Sequence, residues 1–207
     1  MQIASAMLFM ARYSESLAVT QTAIEIFQKH SNPFGLARAY LTAARAAIPL
    51  TQFEQAKIFI GKALEIGTRH NIPALTYQGH HLNGLLAIKE NQKQHGLAAL
   101  AQAVQELEKL SGRLMLEHRV GFFEDKGLIY EDIVGLCLDL DDPARGLEYC
   151  ERAKSRTLQD LLALRLDMHV EARSPDDQAL VDELTQLRSE RDRLYRRWET
   201  DEELGQR

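Results

Sequence analysis

The sequence predicts an all-α protein in which a pair of helices is repeated along the chain. Three observations predict this fold class. No stretch alternates apolar and polar residues with period two for long enough to form a strand. Prolines and glycines are few, 5 and 12 in 207 residues, and they lie between long helical segments. Residue types also recur when the sequence is compared with itself at a step of about 40 residues.

Small residues carry this repeat. One small position recurs in each copy, with the last step longer than the others by about ten residues: Ala23, Ala63, Ala103 and Ala153. A second small position lies two helical turns earlier in each copy: Ser16, Ala56, Gly96 and Gly146. Two turns place both positions on one helix face, and small side chains let antiparallel helices pack closely. We therefore expect the helices of each pair to cross at these positions.

Helix starts are marked by a capping side chain followed by proline. Asn32-Pro33 and Asp142-Pro143 have this form, and Ser174-Pro175 repeats it. These signals and the apolar periodicity predict nine helices, over 2–10, 14–29, 33–48, 52–69, 73–91, 94–110, 113–139, 143–166 and 175–203.

Composition and charge exclude several functions. The net charge of −5 argues against a nucleic-acid-binding protein, and no apolar run reaches the roughly 18 residues that cross a bilayer. The first residues lack the positive region of a secretion signal, so we expect a cytoplasmic protein. His80 and His81 are adjacent and point about 100° apart on a helix, which disfavours a shared metal. No cofactor is expected.

The chain is also not expected to be an enzyme. Neither cysteine has a histidine within a helical turn, as a cysteine nucleophile would need. Cys137 follows an apolar stretch, where loss of solvation should raise the pKa of its thiol.

The second copy of the repeat resembles the tetratricopeptide repeat (TPR). Its residues follow the TPR order of aromatic, small pair, aromatic, alanine, large apolar, alanine: Tyr40, Ala43-Ala44, Phe53, Ala56, Ile60 and Ala63. The usual TPR period is about 34 residues, and HEAT or armadillo repeats, which share the longer step, remain the structural alternative. The resemblance implies a right-handed helical solenoid of about four helix pairs over residues 1–166.

A second stretch is similar to the last TPR of bacterial CHAT-domain proteins. It begins with Phe122-Phe123-Glu124-Asp125-Lys126 and continues through Glu151-Arg152-Ala153-Lys154-Ser155-Arg156 to Leu158 and Leu161-Leu162. In that family a caspase-like domain with a His/Cys dyad follows the repeats. The resemblance implies a piece of a larger bacterial signalling or protease-like protein. No catalytic residue can be carried over, because that domain is absent from this sequence.

TPR resemblance also implies where a partner would bind, since partners contact the first helix of each pair. By register those positions are Arg38, Leu41, Arg45, Ile48, Gln78, His81, Leu85, Ile88 and Glu131. The mixture of charged, amide and apolar side chains suits a peptide or a helix of another protein. The alternative is that at least half of these residues only pack between repeats or remain solvated.

Residues 167–207 form a separate charged segment, predicted to be a linker or coiled-coil helix. Its apolar residues follow a heptad pattern: Leu180, Leu184, Leu187, Leu194 and Trp198. Such a seam needs a partner, either a second copy of the chain or a C-terminal effector domain. The alternative function is therefore a sensor that self-associates, as a dimer, through this helix.

Overall fold

The computed structural model is all-helical throughout the residues it describes, which are 1–113, 127–168, 174, 177–187, 189–190 and 193. Its helices are α1 (Gln2–Phe9), α2 (Tyr13–Lys29), α3 (Pro33–Ala47), α4 (Phe53–Arg69), α5 (Pro73–Lys89), α6 (Lys93–Arg113), α7 (Gly127–Asp139) and α8 (Pro143–Met168). Residues 177–187 are helical as well, and no strand occurs in this part of the chain. The predicted all-α class is confirmed.

The chain divides into two compact units, Met1–Asp160 and Leu161–Arg207. Within the first unit each helix from α1 to α6 packs against the next one in sequence. Helix α1 also contacts α3, and α3 also contacts α5. The predicted domain boundary at 166/167 stays a prediction.

The predicted helix starts are found. The Asn32 side chain accepts a hydrogen bond from the Gly35 amide at 2.8 Å, and Asp142 accepts one from the Arg145 amide at 3.1 Å. Ser174 accepts one from the amide of Asp177 at 3.2 Å. Each cap satisfies a helix amide that has no partner within its own helix.

Predicted helix ends were less accurate. Helix α6 reaches Arg113, three residues beyond the predicted end, and α8 reaches Met168. Of the predicted helix over 113–139, the structure describes the part that forms α7. Arg113 belongs to α6, and residues 114–126 lie outside the described ones.

A left-handed backbone residue lies in each turn of the described repeats. These residues have φ between 49° and 62°, none is glycine, and the first five are evenly spaced: Ala11, Ser31, Thr51, Asn71, Asn91 and Asp141. After α4, for example, the Ile72 amide donates to the carbonyl oxygen of Gly67 at 2.8 Å. This bond closes the helix end in the Schellman pattern. The repeat of about 40 residues thus consists of two helix–turn units of nearly equal length.

Two hydrophobic clusters form the core. The alanine cluster, between α1 and α5, is defined by Ala37, Ala39, Ala43, Ala44, Ala46, Ala47, Ala56 and Ala63. The leucine cluster, from α5 to α8, is defined by Leu97, Leu100, Leu107, Ile129, Ile133 and Leu136.

Helices cross at the predicted small positions. The Ser16 hydroxyl on α2 donates to the Ala4 carbonyl oxygen on α1 at 2.8 Å. A Cβ atom built on Gly96 would lie 3.2 Å from the carbonyl oxygen of Gly84, so α5 and α6 touch through their backbones there. Ala56 and Ala63 are fully buried. These small residues allow the close approach that the repeat predicted.

Candidate protein-interaction surface

Polar residues predicted to face a partner lie on three helices of the first unit. Arg38 and Arg45 are exposed on α3, Gln78 and His81 are half-buried on α5, and Glu131 is exposed on α7. Arg38 and Arg45 are two turns apart and therefore share one face of α3. Gln78 and His81 are three residues apart and share one face of α5.

Two predicted contact residues are core residues instead. Leu41 is 2% exposed and Ile48 is 9% exposed, and both belong to the alanine cluster. The reason is that α3 is covered on three sides, by α2, α4 and α5. Ile88 packs partly buried against the leucine cluster, and Leu85 is half-buried. Leu41 and Ile48 are therefore removed from the candidate surface, and Leu85 and Ile88 contribute little area to it.

Arg45 joins α3 to α5. Its guanidinium donates to the Gln78 side-chain oxygen at 3.0 Å, and the Gln78 amide nitrogen donates to the Ala74 carbonyl oxygen at 2.9 Å. The second bond fixes which side of the amide faces Arg45. Water reaches the guanidinium, but the protein around it removes much of its solvation. This burial lowers the pKa of Arg45, while nearby Tyr77 acts in the opposite direction.

His81 joins α5 to α7. Its Nε2 atom lies 2.6 Å from an oxygen of Asp132, and the His81 side chain is 16% exposed. The Asp132 carboxylate accepts a hydrogen bond from Nε2–H in the protonated ring or in one neutral tautomer. Asp132 was missed from the sequence because it lies one position from Glu131, which the register selected. The signal in the sequence was that a second carboxyl group directly follows Glu131.

These contacts connect three helices that are not consecutive in sequence. We call the accessible polar residues of α3, α5 and α7 the first-helix face: Arg38, Arg45, Gln78, His81, Glu131 and Asp132. At its α3 end the Arg38 guanidinium lies 5.8 Å from the centre of the Phe34 ring. That contact is a cation–π interaction and holds the side chain along the helix.

The adjacent histidines face different helices. His81 contacts Asp132 on α7, whereas His80 is influenced by Glu106 on α6. Burial lowers the pKa of His80 despite the opposing effect of that carboxylate, and its Nδ1 atom has no hydrogen-bond partner among the described residues. The two imidazoles are thus influenced by carboxylates of different neighbouring helices.

The two cysteines lie in different surroundings. Cys137 is buried in the leucine cluster, and burial raises the pKa of its thiol, in the direction that the sequence predicted. Cys150 is half-buried and free. In the part of the chain that the structure describes, no three histidine, cysteine, aspartate or glutamate residues are grouped as metal ligands.

The leucine seam of the second unit is exposed where it is described. Leu180 is 65% exposed, Leu187 is 55% exposed and Leu184 is 36% exposed. Leu194 and Trp198, the other predicted members of the seam, lie outside the described residues.

Among the described helices, none is long and apolar enough to cross a membrane.

Comparison with known proteins gives a fold and no function. No family model matches the chain, and no curated protein matches it. The crystal structure of BtubC (BKLC) from P. vanneervenii is similar to it, with a TM-score of 0.59 and 15% sequence identity. The match covers 83% of this chain and 65% of that one, so the chain spans less than two thirds of that protein's length. At this identity the likeness shows the fold alone.

Proposed function

We propose that the chain is a non-catalytic protein-interaction module that binds a peptide or helix of another protein on its first-helix face. One observation carries the proposal. Two contacts, Arg45–Gln78 and His81–Asp132, tie α3, α5 and α7 together and leave their polar side chains accessible. A preorganised surface loses less conformational entropy on binding than a flexible one.

Several features support a TPR-like array of about four helix pairs as the scaffold. The contacts α1–α3 and α3–α5 are those expected when successive helix pairs stack. The evenly spaced turn residues and the crossings at Ser16 and Gly96 fit the same architecture. We further propose that the module belongs to a larger cytoplasmic bacterial signalling or protease-like protein, because of its resemblance to the last TPR of CHAT-domain proteins.

The chemistry of the cysteines supports a role other than catalysis. A cysteine nucleophile reacts as the thiolate, which requires a lowered pKa and an adjacent base. Burial shifts the pKa of the Cys137 thiol upward, away from that requirement. Replacing both cysteines by serine should leave partner binding unchanged.

Selection of binding peptides from a random displayed library, followed by titration of synthetic copies, tests the proposal. The triple variant Arg38→Ala, Gln78→Ala, Glu131→Ala should bind the selected peptides at least ~10-fold more weakly, a change of about 1.4 kcal/mol. The control removes a carboxylate, an ammonium group and an amide from exposed positions of α2, α4 and α6: Glu25→Ala, Lys62→Ala and Gln105→Ala.

The two triple variants separate the outcomes. The proposal is supported if the triple variant of the first-helix face binds the selected peptides more weakly while the control variant binds them as the unchanged chain does. Equal affinity of both variants and the unchanged chain would mean that peptides bind elsewhere. A library that yields no binding peptide would refute a peptide-binding function.

The second candidate function is self-association, favoured by the exposed Leu180, Leu184 and Leu187. Sedimentation equilibrium at increasing concentration would show dimers that Leu184→Asp abolishes, while the exposed Gln186→Asp, on the same helix, does not. A monomer at all concentrations would exclude this candidate.

A further inference from the structure

The first-helix face carries opposite charges at its two ends. Its α3 end presents two arginines, Arg38 and Arg45, and its α7 end presents the exposed Glu131 beside Asp132. The α5 residues between them, Gln78 and His81, contribute an amide and an imidazole. A ligand that complements this face must carry opposite charges in the reverse order.

The α3 arginines lack the carboxylate partner that several other arginines of the first unit have. Arg12 is paired with Glu15, and Arg152 with Glu108 at 2.9 Å. Among the described residues, no carboxylate lies within 4.0 Å of Arg38 or Arg45. Arg45 instead contacts the neutral amide of Gln78.

A partly desolvated cation without an anionic partner gains most from a ligand carboxylate. A guanidinium binds a carboxylate through two parallel hydrogen bonds, and charge-assisted bonds are roughly twice as strong as neutral ones. The lowered pKa of Arg45 reports the loss of solvation that such a carboxylate would offset. The α3 end is therefore suited to an acidic side chain of the ligand.

The α7 end of the face has the opposite charge. Glu131 is exposed, and the described residues include no cation within 4.0 Å of its carboxylate. Asp132, next to it, is bound by His81. Glu131 is thus the acceptor available to a lysine or arginine of the ligand.

Helix spacing sets the separation of the two charges. Packed helices lie about 8–10 Å apart, so two steps from α3 to α7 span roughly 16–20 Å. An extended chain rises about 3.3 Å per residue. The acid and the base of an extended ligand should therefore be separated by about five or six residues.

We infer that the first-helix face binds an extended peptide in which an acidic residue contacts Arg45 and a basic residue about six positions away contacts Glu131. This inference rests on the proposed function and adds the charge pattern of the ligand.

Fluorescence anisotropy with labelled ten-residue peptides of serine, alanine and leucine tests it. The probe has glutamate at position 2 and lysine at position 8. The comparison peptides have two lysines, two glutamates, or adjacent glutamate and lysine. The unchanged chain should bind the probe about tenfold more tightly than any comparison peptide.

Charge reversal should switch this preference. Arg45→Glu reverses the charge that contacts the acid of the ligand, so the two-lysine peptide should become the tightest ligand. Glu131→Lys reverses the charge that contacts the base of the ligand, so the two-glutamate peptide should then bind most tightly. Arg145→Glu is the control for a change from cation to anion, because Arg145 is exposed on α8, outside the face. This variant should keep the preference for the probe.

Three results bear on the two claims separately. Binding of all four peptides with equal affinity overturns the charge pattern and leaves the proposed function intact. A preference that Arg45→Glu and Glu131→Lys do not change places the binding site elsewhere and also overturns the inference. If the library yields no binding peptide and none of these four peptides binds, the proposed function itself is overturned.

Discussion

The alanine cluster and the leucine cluster fill similar helix crossings with different side chains. In the alanine cluster, buried small residues occur on nearly every side of α3, so the backbones of α2, α3 and α4 approach closely. In the leucine cluster, α5 and α6 still touch at Gly84 and Gly96, but large side chains such as Leu107 and Ile133 fill the core around α6 and α7. The repeat thus specifies where helices cross, while the local side-chain volume decides which substitutions the core tolerates.

The largest effect is expected from removing a large side chain of the leucine cluster. Leu107 is fully buried, so Leu107→Ala leaves a cavity and should lower the free energy of unfolding by about 2–5 kcal/mol. Leu138→Ala is the control, because Leu138 on α7 is exposed. Chemical denaturation measures both variants. Equal midpoints would show that the leucine cluster is not packed as described.

A side chain added to the alanine cluster should have the next largest effect. Ala63 on α4 is fully buried, so Ala63→Leu should destabilise the fold by about 1–3 kcal/mol through overpacking. Ala18→Leu, at an exposed position of α2, should change stability by less than about 0.5 kcal/mol. Thermal unfolding followed by circular dichroism distinguishes them. A neutral Ala63→Leu would contradict close packing in this cluster.

Two glycines should respond to alanine with opposite signs. A Cβ atom on Gly84 would lie 2.7 Å from Leu100, whereas one on Gly61 has no neighbour within 4 Å. Gly84→Ala should therefore cost about 1 kcal/mol or more, and Gly61→Ala should stabilise α4 by roughly 0.8–1 kcal/mol. Denaturant midpoints that shift in the same direction for both variants would refute the crossing of α5 and α6 at Gly84.

The turns differ along the chain as well. The left-handed position holds Ala11, Ser31 and Thr51 in the first three turns but asparagine or aspartate in the later ones. Asparagine tolerates this conformation better than a β-branched residue. Thr51→Asn should therefore raise the free energy of unfolding by about 0.5–1 kcal/mol, whereas Thr68→Asn within α4 should not. Loss of stability in Thr51→Asn would mean that the Thr51 side chain makes a needed contact.

Sequence reasoning succeeded for features with a local physical cause. Asn32 and Asp142 have side chains that accept amide hydrogen bonds, so the starts of α3 and α8 could be predicted. The small positions Ser16 and Gly96 could be predicted because close helix packing requires small side chains at a fixed period.

Features that depend on neighbouring helices could not be predicted. Leu41 follows the register of a groove residue, but it is buried because α2, α4 and α5 all pack against α3. Asp132 became visible as a site residue only when α7 was placed beside His81. The turn at Thr51 has a left-handed backbone without the glycine that usually signals one.

Residue-resolved NMR of the chain with a library-selected peptide identifies the helices that bind the peptide. Chemical shifts of backbone amides should change on α3, α5 and α7, most strongly near Arg45, His81 and Glu131. Helices α2, α4 and α6 should show small changes at their exposed residues. Changes confined to those helices, or to residues 177–187, would contradict binding at the first-helix face.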